Sequence, residues 1–461
     1  MNRIRSSETT AIPGPAECFL SGDSVAITMP PTPSSTAVVP RLLTSNYIAK
    51  KWFQKKDPSF WSPHKLLAGK DSFFPPSSIF NVKRSLASRF FMYEEHTDTK
   101  LHDATKATEV IQLTPTQLAD ALYNGPNDSG GGHHHHHHHH YCTFPIRQTA
   151  PGLLSRLEEY EQLHEDKSSR YLDPRGPSLW MGTSGSSTQA HYDVADNIIC
   201  QMFGTKRIRC YNPSSARALH VFPDAHPRAR KSQVDFDHPN LERFPNFAEL
   251  PSPDLDVVLR PGHALFIPAF WFHHVENGLV GGKNESSTEE SDLGCEDGPS
   301  VSLNLFAVSD AMMMAQNIFQ DSNQPFGRSA VASTEFAVTA LHALSWKLLS
   351  GLNLGHSPKR FTQEELLDAR YAPLRDQQTE TKIDERLSTN YQKINLSPTD
   401  EESVTNCVDR ILPQFENLRE NFGEGVMTIT LCHLFELWAV QMVGASKVAD
   451  VWEEVVLLNE D

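Results

Sequence analysis

The stretch that decides the fold is His191-Tyr192-Asp193, followed further along the chain by Ile267-Pro268-Ala269-Phe270-Trp271-Phe272-His273-His274. Residues i and i+2 of a strand point to the same side, so His191 and Asp193 can both face an interior. A histidine of the second stretch can then reach the same point from a facing strand. Two imidazoles and one carboxylate occupy one face of a metal ion and leave the opposite positions open, which is typical of non-haem Fe(II) sites.

The sequence around these residues predicts the strands and turns of a barrel. Residues 197–203 form an apolar strand, Gly204-Thr205 a turn, and residues 206–211 the return strand. Residues 260–268 predict a turn followed by a buried strand. Residues 301–306 alternate between apolar and polar side chains, as a barrel strand does.

The composition is that of an intracellular globular protein. At 461 residues the chain can hold one large domain and a second, smaller one. Its hydrophobic content is 39%, and no apolar stretch approaches the length of a membrane span. The N-terminus is a poor signal or transit peptide. The 7 cysteines are scattered without a CxxC pair, which favours reduced thiols in the cytoplasm or nucleus over a disulfide framework.

The sequence divides into an N-terminal tail, a region of strands and turns, and a helical region. Residues 1–40 are rich in Ser, Thr and Pro and predict a mobile tail. Residues 41–310 carry the strand-and-turn pattern of the candidate catalytic domain, with inserts near residues 126–140 and 281–298. The first insert contains the histidine run His133 to His140, either a natural low-complexity loop or an introduced tag. We interpret it as a loop and exclude it from the active site.

Residues 311–461 have a helical pattern. At residues 362–365, Thr-Gln-Glu-Glu resembles a capping box that would begin a helix. We expect most apolar residues of this region to be core, with one helical surface left for homodimerisation or another partner. The candidate helices are residues 332–349, 404–418, 427–443 and 447–458.

The charge distribution bears on possible partners. The net charge of −16 argues against coating by nucleic acid, but it does not exclude a local basic patch. Solvated surface charge is the ordinary explanation for such a patch, and a binding surface is the alternative. The two candidate patches are Lys50, Lys51, Lys55 and Lys56, and Arg228, Arg230 and Lys231.

With these motifs in this order, the chain resembles the JmjC-type, cupin-like 2-oxoglutarate-dependent oxygenases over roughly residues 75–350. The resemblance implies a mainly β fold with added helices, namely a double-stranded β-helix (jelly-roll) barrel with a helical C-terminal region. It also implies Fe(II), 2-oxoglutarate and O2. His191, Asp193 and His273 match the family's iron ligands. His273 matches rather than His274, because it is the first histidine after the aromatic pair.

The resemblance also implies residues that bind the cosubstrate. Lys206 lies where the family places the lysine that pairs with the distal carboxylate of 2-oxoglutarate, and Thr188 and Tyr141 resemble the hydroxyl groups that join it. Asn197 and Asn304 match two asparagines of the same pocket. The alternatives are ordinary structural roles: an exposed lysine, strand hydroxyls, and amides that satisfy backbone groups. Because the histidine run directly precedes Tyr141, the match of Tyr141 to the family's motif stays open by register.

Two branches of the family compete for the substrate. Residues 191–197 and 304–306 resemble the branch that hydroxylates a wybutosine precursor in phenylalanine tRNA. Residues 232–239 and 242–247 resemble the asparaginyl hydroxylases that act on hypoxia-inducible factor and ankyrin repeats. Those enzymes have Arg-Gln where this chain has Arg230-Lys231, and a lysine at a pocket rim suits a phosphate or an acidic partner.

The substitutions therefore favour tRNA. Phe306 stands where the asparaginyl hydroxylases have tryptophan, and this difference also argues against a peptide substrate. We expect a hydroxylase of the wybutosine precursor of phenylalanine tRNA, with Arg230 and Lys231 binding the substrate and no membrane partner. The alternatives are a protein hydroxylase (asparaginyl or histidyl) and a non-catalytic cupin scaffold.

Overall fold

The computed structural model describes residues 39–43, 58–70, 72–85, 108–123, 139–155, 157, 176–278, 298–323, 325–326, 333–374 and 394–458. All but the last two residues of the predicted N-terminal tail lie outside these ranges, as do the four lysines of the first basic patch. Most of both predicted inserts lies outside them as well. Of the histidine run, His139 and His140 are described, and they begin a strand where the sequence predicted a loop.

The strands of the described part form two antiparallel sheets. The larger sheet has the order β1-β10-β7-β12-β5-β4-β2-β3, and the smaller has the order β6-β11-β8-β9. Strands are numbered along the chain: β1 (Arg41–Leu43), β2 (Phe80–Ser85), β3 (Thr108–Leu113), β4 (His139–Pro145), β5 (Ser178–Gly182), β6 (Ser187–Tyr192), β7 (Ala195–Phe203), β8 (Lys206–Tyr211), β9 (Leu255–Leu259), β10 (Ala264–Ile267), β11 (Phe272–Asn277) and β12 (Ser300–Val308).

From β5 to β8, and again from β9 to β12, successive strands alternate between the two sheets, as in a jelly roll. The predicted extent of β8 is confirmed, but its interpretation as a return strand beside β7 is wrong. β8 pairs with β11 and β9 in the smaller sheet, while β7 pairs with β10 and β12 in the larger one. The crossing is made at Gly204, whose φ is +64°, and a Cβ there would clash with the carbonyl oxygen of Pro299. The predicted fold class, a mainly β barrel with C-terminal helices, is confirmed.

Strand β12 of the larger sheet is buried on both faces over its first six residues. Val301, Leu303 and Leu305 pack into an apolar core on one side of this sheet. The intervening Ser302 and Asn304 are also buried, and Ser302 bonds to a residue of the smaller sheet. The polar positions of this strand therefore line the space between the sheets, where the candidate site lies.

The helices lie mostly after the barrel. They are α1 (Pro115–Tyr123), α2 (Ile146–Thr149), α3 (Pro151–Leu154), α4 (Asp310–Asp321), α5 (Thr334–Leu352), α6 (Pro358–Phe361), α7 (Pro398–Phe422), α8 (Glu424–Val443) and α9 (Val448–Leu457). The four helices predicted from the C-terminal sequence correspond to α5, α7, α8 and α9. α6 continues into a π-helical segment, Thr362–Tyr371.

The capping box predicted at residues 362–365 is wrong. The helical segment begins earlier, at Pro358, and its N-cap is Ser357, whose hydroxyl accepts from the backbone amide of Arg360 at 3.2 Å. Proline at the first helical position suits this start. The Thr362 hydroxyl donates to the carbonyl oxygen of Pro358 at 3.0 Å, within a continuing helix.

Helix α8 is a core helix. Contrary to the expectation from the sequence, it is long and apolar enough to cross a membrane. Most of it is nevertheless buried inside the protein, and Glu436 in its middle forms an ion pair with Arg370. A helix at the centre of a helical bundle has the same length and apolar composition as α8.

The helices and the barrel share one apolar core. Phe415 and Phe435 of the helices belong to the same cluster as Tyr192, Phe270 and Phe272 of the barrel. The shared cluster lies directly behind the strands that carry the candidate metal ligands.

The described cysteines are buried and form no disulfides. They are Cys142, Cys200, Cys210, Cys407 and Cys432. Within the described part of the chain, this agrees with the reduced thiols predicted from their spacing.

Candidate active site

Three predicted metal ligands converge between the sheets. His191 in β6 and His273 in β11 face each other in register, and Asp193 follows the end of β6. Their potential ligand atoms all lie within 4.8 Å of one another. His273 Nε2 lies 3.7 Å from a carboxylate oxygen of Asp193, and the two imidazole centroids are 4.2 Å apart. One metal ion can be shared by this set, so the donor chemistry fits Fe(II).

Backbone carbonyls orient both imidazoles. The Nδ1 of His191 is 2.8 Å from the carbonyl oxygen of Gln189, and that of His273 is 3.1 Å from the carbonyl oxygen of Trp271. With Nδ1–H donating to a carbonyl, each ring presents Nε2 to the centre of the site. Burial, followed by the charges of His273 and Lys231, holds the pKa of His191 well below its usual value. The ring is therefore neutral, the form that binds a metal.

The neighbouring His274 does not belong to the metal site. Adjacent residues of a strand point to opposite faces. His274 is buried and stacks on Phe236, with 4.7 Å between ring centroids. The choice of His273 as the ligand agrees with this geometry.

A turn before β11 is bonded to the corner that carries Asp193. The backbone amide of Phe270 donates to the carbonyl oxygen of Asp193 at 2.7 Å. The amide of Ala269 donates to the carboxylate of Asp196 at 2.8 Å. Phe270 has a φ of +67°, an uncommon conformation for a bulky residue. These bonds fix the turn relative to Asp193 just before the chain reaches His273.

Lys206 extends from the smaller sheet to the larger one. Its Nζ donates to the Ser302 hydroxyl at 2.7 Å, and the side chain is buried. Lys206 pairs with Asn277 on β11, four residues from His273, so its backbone lies about 13 Å along the strand from that ligand. Burial lowers the pKa of Lys206 to about 7. An anion placed between Lys206 and the metal ligands would favour the ammonium form.

A chain of polar side chains continues from Lys206 across the larger sheet. The Ser302 hydroxyl donates to the amide oxygen of Asn304, and the Asn304 amide donates to the amide oxygen of Asn197, each at 3.3 Å. Asn197 and Asn304, predicted to line the pocket, therefore lie together and connect to Lys206. Each satisfies a polar side chain rather than only the backbone.

Tyr141 and Thr188, the two hydroxyl groups expected to join Lys206, are in contact with each other. Tyr141 is 6% exposed and its hydroxyl is hydrogen-bonded to Thr188. Burial raises the pKa of Tyr141, so the phenol stays protonated and can donate. The register left open by the histidine run is settled by pairing of Tyr141 with Gly182 of β5 and Lys83 of β2.

The two residues predicted to bind substrate differ in position. Arg230 is exposed, whereas Lys231 is 8% exposed and forms an isolated β-bridge with His191. Burial, followed by the charges of Lys83, Arg228 and Arg230, lowers the pKa of Lys231 to about 7. Four cationic side chains thus lie within electrostatic range of one another beside the metal ligands, rather than on a distant rim.

Two residues of the site escaped the sequence interpretation. Ser302 receives the Lys206 ammonium, and the apolar-polar alternation of residues 301–306 was a sufficient signal to find it. Trp180 lies opposite Ser302 in the β5–β12 pair, so both side chains share one face of the sheet. Its ring packs edge-on against Tyr141 at 5.8 Å between centroids. Its position was hidden because a tryptophan in a strand usually indicates core.

Comparison with known proteins agrees with this geometry. A family model described as a cupin-like domain matches residues 131–306. This part of the chain is therefore similar to cupin-like domains. The matched region contains the three candidate metal ligands and every residue predicted to bind 2-oxoglutarate. The predicted resemblance to the JmjC-type, cupin-like oxygenases is confirmed, and it supports the expected enzyme class, a 2-oxoglutarate-dependent dioxygenase.

Similar proteins match the chain over a limited length. The tRNA wybutosine-synthesizing protein 5 of Danio rerio is 38% identical over 95 residues, which are 20% of this chain and 27% of that protein. The lysine-specific demethylase 8 of Xenopus tropicalis is 29% identical over 140 residues, 28% of this chain and 31% of that protein. The X-ray structure of E. coli ycfD aligns with a TM-score of 0.30 and 12% identity, over 84% of this chain and 68% of that one. The chain thus spans less than a third of either curated relative.

Proposed function

We propose that the protein is an Fe(II)- and 2-oxoglutarate-dependent hydroxylase. The observation that carries the proposal is the convergence of the ligand atoms of His191, Asp193 and His273 within 4.8 Å of one another, beside a sheet that also presents the buried Lys206. When bound, the iron with 2-oxoglutarate and O2 supplies the oxidising chemistry that hydroxylates a C–H bond. The work of the chain is to hold the ligands, bind the cosubstrate and aim the substrate.

The residues around the ligands divide this work. Lys206 supplies the positive charge for the far carboxylate of 2-oxoglutarate, and Tyr141 and Thr188 add neutral hydroxyl donors. Ser302 holds the Lys206 ammonium in place at 2.7 Å. Because Lys206 is buried and its pKa is lowered by that burial, the pocket favours an anion over water at this point.

For the substrate we propose the wybutosine precursor side chain of phenylalanine tRNA. The similarity to a tRNA wybutosine-synthesizing protein supports this choice. The cluster of Lys83, Arg228, Arg230 and Lys231 also supports it, since cations beside a reaction centre suit the phosphates of a nucleic acid. The acidic net charge of −16 does not oppose it, because recognition depends on where charge sits. With this substrate we also propose a location in the cytoplasm or nucleus.

Nucleoside mass spectrometry tests this proposal. Deletion of the gene should leave unhydroxylated wybutosine precursor in phenylalanine tRNA, and the native gene should restore the hydroxylated form. A gene carrying His191→Ala should not restore it, because one metal ligand is lost. An unchanged nucleoside profile after deletion would refute tRNA as the substrate.

A protein substrate is the second candidate. It is favoured by the similarity to a lysine-specific demethylase, a protein-modifying enzyme by its name. In that case the tRNA profile stays unchanged, and the purified enzyme turns over 2-oxoglutarate with an asparaginyl or histidyl peptide. A non-catalytic scaffold would form no succinate with any substrate. Homodimerisation through the C-terminal helices stays a prediction.

A further inference from the structure

Residues 219–234, here called the covering segment, run along the outer edge of β6. β6 is an edge strand of the smaller sheet. The backbone amide of Ser232 donates to the carbonyl oxygen of Ala190 at 2.7 Å, and the amide of Tyr192 donates to the carbonyl oxygen of Arg230 at 3.2 Å. The covering segment therefore occupies hydrogen-bonding groups that an edge strand would otherwise present to solvent.

The covering segment also brings a cation next to the metal ligands. Lys231 forms an isolated β-bridge with His191, which lies between the two bonded residues of β6. The position of Lys231 beside the site thus depends on how the covering segment is held.

On its other side, the covering segment is bonded to the helical region. The Nδ1 of His220 lies 3.0 Å from the carbonyl oxygen of Ala369, to which it donates. The Gln233 amide donates to the carbonyl oxygen of Arg370 at 2.9 Å. Both carbonyls belong to the π-helical segment Thr362–Tyr371. The two ends of the covering segment are therefore fixed to the same piece of the helical region.

A buried ion network holds the middle of the covering segment. Arg370 lies 2.7 Å from a carboxylate oxygen of Asp224 in the covering segment and 2.7 Å from one of Glu436 in α8. The backbone amide of Asp224 donates to Glu436 as well. The side chains of Arg370, Asp224 and Glu436 are 5%, 11% and 1% exposed, so little water competes with these contacts. His433 of α8 adds a contact of 3.6 Å to Asp224.

The chemistry of this network requires an arginine. A planar guanidinium presents several donors at fixed angles and can serve two carboxylates at once, whereas an ammonium is a point charge. Two carboxylates in a buried place also repel each other unless a cation lies between them. Arg370 is therefore the group that joins α8 to the covering segment.

We propose that Arg370 is a positioning residue of the active site, which acts by holding the covering segment and, through it, Arg230 and Lys231. The helical region is then a working part of the site rather than an appended module. The inference rests on the proposed function only for the identity of the substrate that Arg230 and Lys231 meet. The location of the covering segment against β6 stands on the contacts alone.

Hydrogen exchange of the full-length protein tests the structural step. In Arg370→Lys and in Glu436→Gln, we expect amide exchange in residues 221–233 to rise about tenfold, with β11 and β12 unchanged, because a local opening exposes only its own amides. The matched control is Arg360→Met. Arg360 lies in α6, directly before the π-helical segment. It pairs with Glu364 at 2.8 Å, but its side chain is 62% exposed. This control should leave exchange in the covering segment as in the native protein.

Binding measurements test the consequence for the site. With Mn(II) bound, calorimetric titration of Arg370→Lys with 2-oxoglutarate should give a Kd within about twofold of the native value. The reason is that the residues proposed to bind 2-oxoglutarate do not contact Arg370. Fluorescence anisotropy with phenylalanine tRNA should show binding weakened about fivefold or more, since two cations lose their place. A purely structural role of Arg370 would move both affinities together.

The outcomes separate this inference from the proposed function. Exchange that is unchanged in both variants, or that rises equally throughout the chain, overturns the positioning role. If Arg370→Lys does not fold, Glu436→Gln decides, since it keeps the size of the side chain and the cation. Native protein that binds no tRNA refutes the proposed substrate, while the exchange result still decides the role of Arg370.

Discussion

At the scale of single residues, the site is organised around Lys206. Its ammonium is buried and donates to the hydroxyl of Ser302, which is hydrogen-bonded in turn to the amide of Asn304. A buried lysine is costly unless an anion joins it. The structure therefore suits a pocket that is completed by its cosubstrate.

Replacement of this lysine should separate cosubstrate binding from folding. In Lys206→Met, we expect the Kd for 2-oxoglutarate to rise about 10- to 100-fold, because a charge-assisted hydrogen bond contributes about 1.5–3 kcal/mol. Tm should not fall, since a buried charge is removed with little loss of volume. Calorimetry with Mn(II) present measures the Kd. Lys347→Met, at a lysine with a 39% exposed side chain, is the control and should bind normally.

Cosubstrate affinity should depend on pH through the same residue. Burial lowers the pKa of Lys206 to about 7, so the free protein carries the ammonium below pH 7 and loses it above. The affinity should be constant below pH 7 and fall about tenfold per pH unit above it, with one proton taken up on binding. Titrations in two buffers of different ionisation enthalpy measure this uptake. Equal Kd values at pH 6 and pH 9 would contradict the prediction, and Lys206→Met should abolish the dependence.

At the scale of elements, the turn before β11 is the part that brings the ligands together. Asp196 at the start of β7 accepts from the backbone of this turn, and the backbone of Asp193 accepts from the next residue. Burial raises the pKa of Asp196 to about 6, and the hydrogen bond from the backbone of Ala269 opposes this rise. The turn thus links Asp193, which directly follows β6, to β11, the strand that carries His273.

Loss of the Asp196 carboxylate should weaken metal binding without touching a ligand. In Asp196→Ala, we expect affinity for Mn(II) to fall about 10- to 100-fold, as for other groups that orient metal ligands. The control is Asp256→Ala. Asp256 is partly exposed and pairs with Arg207 at 2.7 Å, and its loss should change stability by less than about 1 kcal/mol. Equal metal affinity in native protein and Asp196→Ala would show that the turn keeps its conformation without the Asp196 carboxylate.

The sequence predicted local elements better than their partners. The bounds of β8 and the turn at Gly204 follow from apolar runs and glycine, which are local signals. The partner of β8 does not, because the choice between two sheets depends on contacts with distant strands. In the site, ligand spacing and family resemblance indicated Lys206 and Asn304. No local signal indicated Arg370, because its role comes from carboxylates on two other elements, Asp224 and Glu436.

At the scale of the whole molecule, barrel and helices depend on each other. Their apolar cluster continues across the predicted boundary at residue 310, from Tyr192 and Phe272 to Phe415 and Phe435. A core that is shared by two regions exposes apolar surface in both when either is removed. The helical region should therefore not unfold before the barrel.

Denaturation should show this coupling. In urea, tryptophan fluorescence and far-UV circular dichroism should report one coincident transition. Phe435→Ala should lower the midpoint of both signals together, because the loss of a fully buried phenylalanine costs about 3–5 kcal/mol. Trp346→Ala, at a residue that is 40% exposed, is the control and should shift the midpoint far less. Two separate transitions would contradict a shared core.

The burial of the cysteines has a consequence for an enzyme that handles oxygen. Burial raises the pKa values of Cys142, Cys200 and Cys210 to about 12. At pH 7 on the order of one such thiol in 10⁵ is then a thiolate, the form that peroxide attacks. If the proposed oxygenase chemistry produced stray oxidants, these three sulfur atoms would react with them poorly.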